Sequence, residues 1–84
     1  MLSKDAIDDY LIANLEFLKE VVAPLKKVRN KALVTDPIFF DLIKEQYQDR
    51  VRGEVALHIC LNIGCSFEDA MIRLEEVKVE YLLE

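Results

Sequence analysis

The chain has 84 residues, enough for one domain and too few for two. Hydrophobic residues make up 52% of it, which excludes disorder by composition, and no apolar run approaches the ~20 residues needed to cross a bilayer. The net charge of −5 is unevenly placed, with six acids and two bases in residues 64–84, which argues against that segment facing a phosphate backbone.

A domain of this size buries only roughly 60–65% of the surface its unfolded chain exposes, so a lone copy is marginal. The N-terminus has no basic-then-apolar leader, because Lys4, Asp5, Asp8 and Asp9 interrupt it. A cytoplasmic location is expected. Cys60 and Cys65 are too few for a disulfide scaffold and are expected as reduced thiols, with Cys60 buried and slow to react.

In chain order, Ser3 is a candidate N-cap, with Asp5 in the first turn, where an acid suits the helix dipole. Leu11, Leu15, Leu18, Val22 and Leu25 then recur at alternating steps of four and three, the narrow seam of a helix packed on another. Phe17, Val21 and Val28 widen that seam. Pro24 lies inside the pattern and lacks the N–H that would bond the Glu20 carbonyl, so two outcomes are open: a kink or a split. The seam keeps its register across Pro24, which favours the kink. Lys26, Lys27, Arg29 and Lys31 follow, at the carbonyl end of this helix, with Leu33–Thr35 as the expected turn.

Residues 36–64 predict a long second helix. Asp36 is a good N-cap and Pro37 fits the first helical position, where its missing N–H costs nothing. Ile43, Tyr47, Val51, Val55, Ile59 and Ile63 step by four, and Phe39, Phe40, Leu42, Leu57 and Leu61 form a second apolar row. From Val55 to Ile63 only His58 and Asn62 are polar, so that half is expected to be buried on most sides. Gly64 suits a left-handed C-cap. Ser66 is a strong N-cap for a third helix expected over 67–82, with Phe67, Ala70, Met71, Leu74, Val77, Lys78 and Tyr81 on one face.

The fold class expected is all-α: one domain of three antiparallel helices, the first kinked or split at Pro24 and the second long and central. His58, Cys60 and Cys65 read H-x-C-x4-C, but His58 and Cys60 point about 200° apart on a helix, and zinc needs about four convergent ligands. No metal, no cofactor and no catalytic residue is assigned. The sequence has no glycine-rich phosphate loop, no serine elbow and no carboxylate pair with a reason to sit in a pocket, so an enzyme is not expected.

Two further patterns need weighing. LNIGCSFEDAMIRLEE, with its glycine-ended turn and serine cap, resembles a helix-turn-helix and the first hairpin of ubiquitin-associated domains, with IGC standing where that family has Met-Gly-Phe. The resemblance implies DNA or ubiquitin binding. The chain departs from both: Glu68, Asp69, Glu75 and Glu76 are wrong for a recognition helix, and no third helix follows the hairpin. An ordinary corner between two helices is the reading retained. Separately, Gly53, Ala56 and Cys60 are small residues at helical spacing, which suits either close approach of a partner helix or a tight spot in the chain's own core.

The function expected is a non-enzymatic helical protein–protein interaction module, a regulator, adaptor or inhibitor working as a homo-oligomer, with a dimer favoured and a further protein partner unidentified. Interface residues expected are Ile72, Val79 and Leu83, a second apolar stripe on the third helix, with Gly53 and Ala56 on the second. The alternative is a nucleic-acid-binding regulator using residues 60–74 with Lys26, Lys27, Arg29 and Lys31 as an anion-binding cluster. A membrane role is not expected.

Overall fold

The structure is a computed structural model and describes residues 4–78 and 80–83. These residues are helical almost throughout: α1 spans Lys4–Ala13, α2 Leu15–Thr35, α3 Pro37–Ile63 and α4 Phe67–Val77, and a short 3₁₀ helix spans Glu80–Leu83. None of these helices is long and apolar enough to cross a membrane.

Helix α3 forms as its ends dictate. The Asp36 side chain accepts from the Phe39 N–H at 3.0 Å, and Gly64 closes the helix at φ 77° with its own N–H on the Cys60 carbonyl. At 27 residues α3 is about 40 Å long, and it sets the long axis of a molecule measuring 44 × 22 × 17 Å. Helix α2 runs antiparallel beside it. The Phe17 ring meets His58 near one end of the pair, and the Tyr47 hydroxyl donates to the Leu25 carbonyl at 2.7 Å nearer the other. Helix α4 folds back on α3 through the Gly64–Ser66 corner, and the Ser66 hydroxyl accepts from the Asp69 N–H at 3.0 Å.

Four helices replace the three expected. The first break falls at Asn14, not at Pro24. The Asn14 amide bonds the Tyr10 carbonyl twice, from its backbone N–H at 3.0 Å and from its side chain at 2.9 Å. A side chain that competes for backbone groups in this way loosens a helix. Helix α2 passes unbroken through Pro24, which lies on its exposed side, where water can reach the carbonyl left without a donor. The expected turn at Leu33–Thr35 is also helical. Thr35 caps its own turn by donating to the Lys31 carbonyl at 2.8 Å, and Asp36 alone links α2 to α3. The third expected helix stops at Val77 rather than at about Leu82. Lys78, at φ 51°, turns the chain so that Leu82 and Leu83 pack inward from the 3₁₀ helix.

The core is one cluster. Leu18 and Val22 of α2, Val51, Val55 and Ile59 of α3, Leu74 of α4 and Leu82 are fully buried in it. Ile7 and Leu11 bring α1 onto the same cluster. Two polar contacts join elements that are far apart in the chain. Arg73 of α4 forms a two-pronged pair with Asp8 of α1 at 2.7 and 2.8 Å. Arg29 of α2 donates to the Leu83 carbonyl at 3.1 Å and so fixes the 3₁₀ helix.

Candidate interaction surface

The turn at Asp36 joins two long helices at one end of the molecule. Apolar side chains on the last turns of α2 and the first of α3 therefore meet there. Val28, Val34, Ile38, Phe39 and Leu42 are all exposed, Val34 at 84% and Leu42 at 75%. Each lies within about 12 Å of the turn along its helix axis, at 1.5 Å per residue. Val28, Ala32 and Phe39 line a shallow groove with Lys31, Thr35 and Asp36, while Ile38 and Leu42 stand one turn apart on α3. Large apolar side chains left exposed near one end of a molecule mark a candidate interaction site.

The expected interface residues do not share one place. Ile72 is half-exposed on α4 at 51%. Val79 lies outside the described residues. Leu83 is only 3% exposed and Ala56 is fully buried, so both belong to the chain's own core in the single copy. Gly53 is half-buried on α3, and a methyl group there would meet nothing within 4 Å. The tight spot inside the core, one of the two expectations for Gly53, is therefore not what holds a glycine there. The second half of α3 is less enclosed than its composition implies, because Leu57 and Leu61, one turn apart, face outward.

The basic cluster does not converge. Lys27 and Lys31 are exposed on one side of α2, and Arg29 points to the other, where it holds the Leu83 carbonyl. Lys26 is half-buried, about 100° around the helix from Lys27. Arg50 and Arg52 pair within α3, Arg50 with Glu54 at 3.4 Å and Arg52 with Asp49. The first turn of α4 presents Glu68 and Asp69, which repel phosphate.

His58 and the two cysteines also separate. His58 meets the Phe17 ring edge-on, with centroids 5.3 Å apart, while Cys60 faces Cys65 with 3.9 Å between the sulfurs. Among the described residues no group of three or more His, Cys, Asp or Glu side chains is placed to hold a metal ion. Burial, and then the neighbouring Cys65, push the Cys60 thiol up. Cys60 is half-buried rather than fully buried.

The patch at the Asp36 turn was not singled out from the sequence, although Phe39 and Leu42 stood in the second apolar row. The signal was available: VTDPIFFDL places large apolar residues on both sides of a one-residue link, where two helix ends meet and cover beyond them is scarce. Compared with protein-family models, with curated proteins and with solved structures, the chain matches none of them significantly.

Proposed function

We propose that the chain is a small, non-enzymatic helical interaction module, a regulator, adaptor or inhibitor that works as a homo-oligomer. The observation that carries this reading is the exposed apolar end of the α2–α3 hairpin, where Val34, Ile38 and Leu42 stand in water. Each such side chain, once covered, contributes about 1.5–3 kcal/mol to association, a large share of the margin on which a domain of this size folds. A two-fold dimer is the commonest arrangement that covers the same patch on both copies. Ile72 and the open flank at Gly53 supply further contact area on α4 and α3.

Light scattering across a wide concentration range tests the reading. The wild type is expected above monomer mass, and Val34→Glu with Leu42→Glu is expected to return it to monomer while circular dichroism stays unchanged, because both side chains are exposed. A wild type that stays monomeric throughout refutes the homo-oligomer. An oligomer unaffected by the double variant moves the interface away from the hairpin end, and Ile72→Glu then tests α4.

A further inference from the structure

The two cysteines lie on either side of the α3–α4 corner. Cys60 is in the last turn of α3, and Gly64 ends that helix in the left-handed conformation, its N–H on the Cys60 carbonyl at 2.9 Å. This turn brings Cys65 back over Cys60, with 3.9 Å between the sulfurs. Both thiols are half-buried at the edge of the core, so small reagents still reach them. A disulfide needs its sulfurs about 2.05 Å apart, and side-chain rotation about the Cα–Cβ bonds supplies movements of that size.

We propose that Cys60 and Cys65 are a redox-modification site: a dithiol that closes reversibly to an intrachain disulfide across the α3–α4 corner when it meets a low-molecular-weight disulfide. The step balances as thiol–disulfide exchange. One cysteine thiolate attacks a sulfur of the reagent RSSR, forming a protein–SR mixed disulfide and expelling RS⁻. The second thiolate attacks the protein-side sulfur of that bond and expels the second RS⁻. The protein gives up two electrons and two protons, and the reagent leaves as two RSH. Burial raises the Cys60 thiol, which suits it to the second step, where the target sulfur is already beside it. The closed bond pins the start of α4 to the end of α3. This site stands apart from the hairpin end and does not depend on the interaction reading.

The test equilibrates the intact protein with graded mixtures of oxidised and reduced glutathione, quenches with acid, alkylates and weighs the products. The expected product is a single chain about 2 Da lighter, with both thiols blocked to alkylation. Its effective dithiol concentration is expected to be about tenfold or more higher in the folded chain than in urea, because the native corner sets the sulfur spacing. Thiols that both remain open to alkylation overturn the proposal. So do a product that stops at the glutathione adduct, a disulfide between two copies, or an effective concentration no higher in the folded chain.

Discussion

The two halves of α3 are both rich in large apolar residues and are used differently. From Val51 to Ile59, four side chains are fully buried, beneath α1, α2 and α4. From Pro37 to Gln46 only Phe40 is buried, and Ile38, Phe39 and Leu42 stay exposed. The difference lies in the number of neighbours and not in hydrophobicity. A helix partnered along a single stripe leaves its other faces in water, whatever residues they carry. The same rule operates locally at Leu57 and Leu61, which lie on the outer face of the well-covered half.

The sharpest way to break this contrast is to make the same kind of cut in both halves. Ile59→Ala, or Leu74→Ala in the same buried cluster, is expected to lose about 2–5 kcal/mol in urea denaturation. Leu42→Ala is expected to change stability by no more than about 0.5 kcal/mol in the monomer. Equal losses at Leu42 and Ile59 would show that the hairpin end is covered within one chain.

Tyr47 marks the boundary between the halves. Its ring packs edge-on against Phe40, centroids 5.7 Å apart, and its hydroxyl donates to Leu25. Tyr47→Phe is expected to cost about 0.5–1.5 kcal/mol, the worth of one such hydrogen bond. Burial holds this phenol above its ordinary value, with Arg29 partly opposing. The folded state therefore keeps the proton to higher pH than the unfolded state does. That contribution is intact below the unfolded value of about 10 and is lost as pH rises through the folded one. Thermal melts between pH 8 and about 11 should fall less steeply for the variant. A remaining fall is expected from Tyr10, whose phenol burial also raises.

The two glycines give modest effects of opposite sign. Gly64→Ala is expected to destabilise by about 1 kcal/mol, because φ 77° is strained for any residue with a Cβ. Gly53→Ala is expected to stabilise the monomer by up to about 1 kcal/mol, since the methyl group meets nothing within 4 Å and alanine favours a helix. If Gly53 lies in the oligomer contact, the same change weakens association. Melts at low and high protein concentration separate the two effects.

How much of this was legible in the sequence depended on whether the signal was local. Asp36, Pro37, Gly64 and Ser66 fix the ends of α3 and the start of α4 through bonds within a few residues, and the expected boundaries there agree with the structure. Asn14 was missed because the Leu11–Leu15–Leu18 seam runs through it in register. The end of α4 was missed for a different reason. Residues 77–83 contain no glycine or proline, and Leu82 and Leu83 belong to a core shared with residues far away in the chain, which local spacing does not reveal. Leu83 is expected on an outward stripe, and Ala56 either against a partner helix or in the core, because periodicity gives a face without saying which neighbours fill it. The thiol pair was visible as a spacing, yet its proximity needed the left-handed turn at Gly64 to be placed in space.

The Asp8–Arg73 pair joins positions 65 residues apart in the chain, whereas the hairpin of α2 and α3 closes through one residue. In kinetic terms the hairpin can assemble early from neighbouring segments, and the clasp between α1 and α4 must wait for the rest. Contacts formed after the transition state govern how fast a protein comes apart more than how fast it folds. Asp8→Asn should therefore steepen the loss of native protein after a denaturant jump and leave the refolding arm of the chevron where it was. A slowed refolding arm would place the clasp in the nucleus instead. On this reading the lifetime of the native state is set where the two ends of the chain are held together.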